Sequence, residues 1–66
     1  MIIYTEENFV IDSTDITSFE IDDECIVAQP MDLILSRIES IPEGCDLIKK
    51  IIEQEEKGSV LFKLNS

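Results

Sequence analysis

Four carboxylates in five residues, Glu20, Asp22, Asp23 and Glu24 around Ile21, form the densest grouping of chemically capable side chains in the chain. Carboxylates this close have three uses. Two in contrasting environments can pass a proton to a substrate, several can hold a hard cation, and a charged row can meet a basic surface. The remaining reactive groups are two isolated thiols, Cys25 and Cys45, and the chain contains no histidine. That removes Ser-His and Cys-His pairs, and Glu24 beside Cys25 works against the thiolate that a nucleophilic cysteine needs. Gly44 and Gly58 stand alone, so no glycine-rich phosphate cradle is expected.

Metal chemistry fails on spacing. Two separated thiols with no His and no CxxC cannot complete a tetrahedral zinc set. The stretch from Asp12 to Asp23 has the length of an EF-hand loop, but its third residue is Thr14, its fifth is Ile16, and Thr17 stands where glycine is required. Acid–base catalysis by paired carboxylates stays open in principle. However, the acids fall mainly at turns and on the polar side of a strand, and a domain this small has little room for a cleft. No enzyme activity, metal or cofactor is expected.

The third use is favoured by where the charge lies. Between Met1 and Ser36 there are nine acids and no base, whereas from Arg37 onward six acids face five bases, so nine of the ten net negative charges belong to the first half. Such a chain is repelled by nucleic acid, whose backbone is bound by Lys and Arg. A basic protein surface attracts it.

Size sets the frame for the elements. A chain of 66 residues is one domain, and at that size only about 60% of the surface of the unfolded chain is buried on folding. A core of this kind rarely supplies more than ~3–5 kcal/mol without help, and self-association is one form of help. The apolar residues are largely Ile, Leu and Val, which predicts a folded chain. No unbroken apolar run exceeds four residues, against the ~20 that span a bilayer. Met1-Ile2-Ile3-Tyr4 runs straight into Glu6-Glu7 without a signal-peptide pattern, so the expected location is a cytoplasm. Both cysteines are then expected reduced and structural, with a disulfide or intermolecular bridge as the alternative.

Ile2–Tyr4 and Phe9–Ile11, separated by Thr5-Glu6-Glu7-Asn8, read as a hairpin, and Asp12-Ser13-Thr14-Asp15 as a turn. From Ile16 to Ile21 the alternation predicts a half-buried strand with Phe19 and Ile21 inward and Glu20 and Asp22 outward. Asp22-Asp23-Glu24 is its tip, and Cys25–Ala28 returns as the next strand, ended by Pro30. Between Met31 and Ile41 the spacing of Ile34, Leu35, Ile38 and Ile41 suits a helix, while Leu33-Ile34-Leu35 after a turn suits a strand. The capping box Ser40-Ile41-Pro42-Glu43 requires a fresh helix start there and tips the balance towards strand. Leu47, Ile48, Ile51 and Ile52 give the following helix its apolar stripe, with Gly58 as its stop. Ser59–Leu64 then alternates Val60, Phe62 and Leu64 against Leu61 and Lys63, which predicts a closing strand. The expected fold is α+β: a small antiparallel β-meander packed by one C-terminal helix and followed by that strand.

Met1-Ile2-Ile3-Tyr4, Phe9-Val10-Ile11, Asp15 through Ile21 and the helix Cys45 through Ile52 together resemble small meander-plus-helix proteins of bacterial phages and other mobile elements. The resemblance covers most of the chain as a pattern of apolar positions, and transfers no functional residue. It implies a setting in which dispensable effectors bind and block a host protein, several acidic ones as DNA mimics. Residues two apart on a strand lie about 6.8 Å apart on one face, so Glu20 and Asp22 would be spaced much like successive phosphates. The expected partner is a basic surface of a host protein, a nucleic-acid-binding surface being one form of it. The binding residues are Asp15, Glu20, Asp22, Asp23 and Glu24. The alternatives are a homodimeric structural or regulatory protein, with a seam at Ile34, Ile38 or Leu61 and acids that only solubilise, and an immunity protein or antitoxin that neutralises a basic toxin.

Overall fold

A computed structural model of the chain describes residues 1–65. The opening β-branched and aromatic runs form β1 (Ile2–Tyr4) and β2 (Val10–Asp12), paired antiparallel with Ile3 opposite Ile11. Their loop turns on Asn8, held at φ 70°, a left-handed conformation that Asn tolerates better than most residues. Asp12 then caps a 3-10 turn over Ser13–Asp15, accepting hydrogen bonds from the backbone N–H and the hydroxyl of Thr14. These bonds, led by the backbone N–H of Thr14, hold its carboxyl below the usual carboxylate range.

β3 (Ser18–Asp22), β4 (Cys25–Gln29) and β5 (Leu33–Arg37) form the antiparallel meander, a three-stranded sheet in that order. Asp22 pairs with Cys25, so the β3–β4 turn contains only Asp23 and Glu24. The segment that was open between strand and helix is β5. It carries a bulge: Ile26 pairs with Ser36 and Val27 with Ile34, which leaves Leu35 as the extra residue. Leu35 and Ser36 are consequently both buried, and the inward parity of the strand shifts by one.

Helix α1 (Ile41–Glu56) starts at Ser40, whose Oγ accepts from the N–H of Glu43, while Glu43 reaches back to the N–H of Glu39, one residue earlier than in a standard capping box. It ends in a Schellman motif, with Gly58 at φ 78° and the N–H of Ser59 bonded to the carbonyl of Gln54. β6 (Leu61–Lys63) closes the chain parallel to β1, Phe62 beside Ile3. The strands therefore divide into two sheets: the meander, and a mixed sheet in the order β2-β1-β6.

Both sheets and the helix share one core, built from Ile3, Ile26, Ala28, Leu35, Ile38 and Ile51. On the helix the buried positions are Gly44 and Ile51, flanked by half-buried Leu47 and Ile48. Ile52 lies outside the stripe, 43% exposed, and Val60, which precedes β6, is 80% exposed. Among the described residues every buried side-chain polar atom has a hydrogen-bond partner. No helix among them is long and apolar enough to cross a membrane.

Gly44 sets how closely α1 approaches β3: a Cβ there would lie 2.7 Å from Cδ1 of Ile38 and 3.0 Å from Cδ1 of Ile21. Gly44→Ala should leave stability near that of the wild type, because the roughly 0.5–1 kcal/mol gained in helix propensity is offset by displacing two methyl ends. Gly44→Val adds two methyl groups with no room for them. It should lower the free energy of unfolding, measured in urea, by about 1–3 kcal/mol.

Candidate functional site

The two-residue turn fixes the register of the acidic strand. Glu20 stands opposite Val27, and Asp22 opposite Cys25. Glu20 and Asp22 are exposed while Phe19 and Ile21 pack against the core, so the expected alternation holds. Asp23 and Glu24 form the tip, both exposed, with Asp23 at φ 52°. Asp15 is also exposed, but it belongs to the 3-10 turn before β3 and does not lie on the strand's face. Four of the five expected binding residues thus make one strip, and the fifth flanks it.

Two residues not singled out in the sequence complete the strip. Gln29 lies diagonally across the β3–β4 ladder from Glu20, and its Nε2 donates to Glu20 Oε2 at 3.0 Å and to Asp32 Oδ1 at 2.8 Å. One neutral amide group, with its two hydrogens, therefore holds two carboxylates together. Asp32, at φ 56° in the β4–β5 turn, is brought beside the row. Counting outward from a two-residue turn would have placed Gln29 beside Glu20. The position of Asp32 depends on the form of the second turn, which no local spacing reveals.

The cation nearest in sequence is held elsewhere. Arg37 shares the outer row of Asp22 and Cys25 at the far edge of the meander, and its Nε donates to Glu6 Oε1 at 3.0 Å. The hydrogen bond and charge of Glu6 raise the guanidinium pKa further still. A concavity of about 450 Å³ opens here, lined by Glu6, Glu24, Arg37, Ile38, Glu39 and Glu43. Its walls come from the β1–β2 loop, the meander tip, the end of β5 and the start of α1. Four carboxylates therefore surround one guanidinium that Glu6 already engages.

Several acids have structural tasks as well as charge. Asp12 and Glu43 cap, Asp23 and Asp32 occupy left-handed turn positions, and Glu6 holds Arg37. The side chains of Asp15, Asp22 and Glu24 accept no hydrogen bond and form no ion pair with any other described residue. These three carry charge without a local structural role. Cys25 and Cys45 are both free thiols, and no group of three or more metal-ligating side chains lies together among the described residues.

Comparison with protein-family models, curated proteins and solved structures finds no match to this chain.

Replacing Gln29 tests the strip without touching an acid. Gln29→Lys puts a cation between Glu20 and Asp32 and should raise stability by about 0.2–1 kcal/mol, whereas Gln29→Glu places a third carboxylate there and should lower it by a similar amount. Urea unfolding at neutral pH and low salt reads both signs. The difference between the two variants should shrink on adding salt.

Proposed function

We propose that the outer face of the meander, with its tip, docks on a basic protein surface, and that the chain acts as an inhibitor by occupying a surface its target uses to hold nucleic acid. The observation that carries this reading is the strip itself: Glu20 and Asp22 outward on one strand, Asp32 gathered beside them, and the nearest cation of that face already engaged by Glu6. A row of carboxylates at strand spacing presents charge to an incoming Lys or Arg much as a phosphate backbone does. The concavity beside Glu24 gives one such side chain a place to enter.

On this reading the chain is a binding protein, not an enzyme, and acts in a cytoplasm, in keeping with its two unpaired thiols. The resemblance to phage and mobile-element proteins supplies a host protein as the target. A basic toxin neutralised by an immunity protein or antitoxin is a target of the same chemistry. Long-range attraction between opposite charges speeds encounter and is screened by salt, with the Debye length falling from about 10 Å at 0.1 M to about 3 Å at 1 M.

Glu20→Lys with Asp22→Lys reverses the row at exposed strand positions. At Asp23 the replacement should be Asn, because Lys at positive φ would strain the turn and confuse charge with folding. Immobilised wild-type protein should retain from a bacterial lysate a protein that high salt releases and that excess duplex DNA displaces. The triple variant, folded by circular dichroism, should retain at least about tenfold less. Equal retention by the variant, or a captured protein indifferent to DNA, would sink the mimic.

A further inference from the structure

The mixed sheet has a second face that no other element among the described residues covers. In β1, Ile3 points into the core with Ile11 and Phe62 packed beside it, so the alternate residues point outward. Those are Ile2 and Tyr4 on β1, Val10 and Asp12 on β2, and Leu61 and Lys63 on β6. Val10 is 56% exposed and Leu61 43%. The Lys63 ammonium lies 5.8 Å from the centre of the Tyr4 ring, which places it over this face.

The charges on this face are self-complementary. Register puts Val10, Tyr4 and Lys63 in one row, and Asp12, Ile2 and Leu61 in a parallel row two residues along. Asp12 and Lys63 therefore occupy opposite corners, roughly 9.6 Å apart across the strands and 6.8 Å along them. Among the described residues Lys63 pairs with no carboxylate, in a chain with fifteen of them. The contacts of the Asp12 carboxylate all run through Oδ1, which faces Thr14 and the Met1 ammonium, leaving Oδ2 without a partner.

We propose that this face binds a second copy of the chain across a two-fold axis. An axis lying in the interface at right angles to the Asp12–Lys63 diagonal sets each Asp12 against the second copy's Lys63. The same axis runs close to the other two corners, so Val10 meets the second copy's Val10 and Tyr4, and Leu61 meets Leu61 and Ile2. Apolar groups then cover apolar groups and each charge finds its opposite, as an isologous interface requires. The proposal does not depend on what the acidic strip binds.

Charge also selects this face for self-association. Two copies each bearing a net charge of −10 repel, and contact through the meander face would bring the acidic strips together. The mixed-sheet face carries one acid and one base. Its six residues span less than the roughly 800 Å² per partner of a standard interface, so the dimer is reversible and concentration-dependent.

Sedimentation velocity of the whole chain from about 10 µM to about 1 mM, which brackets weak association, in about 0.15 M salt, tests this. The wild type should shift from monomer to dimer over that range. Lys63→Glu and Asp12→Lys should each raise the dissociation constant at least about tenfold. An equimolar mixture should regain it to within about threefold, because both bridges re-form in the mixed dimer. Net charge cannot account for that pattern, since one substitution makes the chain more acidic and the other less. Leu61→Asp, which alters neither member of the pair, should abolish the dimer and keeps the test decisive if Asp12→Lys unfolds for want of its cap. A wild type that stays monomeric overturns the proposal. So does a folded Lys63→Glu or Leu61→Asp variant that dimerises as the wild type does, or a mixture of folded variants no tighter than its parts.

Discussion

Everything in this protein hangs on one small core that three elements must share. Ile3 comes from the mixed sheet, Ile26, Ala28 and Leu35 from the meander, Ile38 from the link between meander and helix, and Ile51 from α1. None of these elements has enough apolar surface to close a core by itself. The sheets are tied at the β5 bulge, where the N–H of Glu6 in the β1–β2 loop donates to the carbonyl of Leu35. The helix C-terminus is tied to the mixed sheet by the hydroxyl of Ser13, which donates to Glu55. With so few buried side chains, each sheet has one inner face and one outer. The outer faces are where the two sheets differ in chemistry: on the meander Glu20 and Asp22 share the face with Val27, Ile34, Cys25 and Arg37, whereas the mixed sheet presents mostly Ile, Tyr, Val and Leu with one acid and one base.

Most of this was readable in the chain, and the exceptions have physical causes. The strand alternation through Phe19 and Ile21, the capping box at Ser40 and the glycine stop at Gly58 each depend on neighbours a few residues away, and each stands in the structure. The Met31–Ile41 segment was ambiguous because the bulge advances the inward parity of β5 by one. Leu35 and Ile38, both buried, then fall three residues apart, which is helical spacing produced by a bulged strand and the link that follows it. The division into two sheets could not be read at all. It depends on β6 returning parallel to β1 across almost the whole length of the chain, and alternation says that a strand has an inner face without saying which sheet it joins. Ile52, at the side of the helix's apolar stripe, and Val60, just before β6, fit their periodic patterns but lie beyond the reach of so small a core.

The acidity is likewise a sum of different causes. Asp23 and Asp32 sit at positive φ, where a short side chain that bonds its own backbone is favoured over most others. Asp12 caps the 3-10 turn. A fold with short turns and few glycines draws on aspartate for reasons of backbone conformation. Part of the charge excess in the first half is therefore a by-product of turn chemistry. The part that is not comprises Glu7 in the β1–β2 loop and, on or beside β3, Asp15, Asp22 and Glu24 together with Glu20 held by Gln29.

That strand is an edge of the meander, and this gives its acids a further physical role whatever they bind. β3 is five residues long and, among the described residues, pairs only with β4, so its other edge is open to a passing strand. Charged side chains on an edge strand oppose such pairing, because joining two copies would bring like charges together. Glu20 and Asp22 would suffice for that purpose. The additional carboxylates at the tip, the recruitment of Asp32 through Gln29, and the acidic walls around Glu24 extend the negative surface past the edge and around the end of the molecule. Protection of an edge needs charge along a strand, whereas recognition of a basic surface needs charge spread over an area. The distribution fits the second requirement as well as the first.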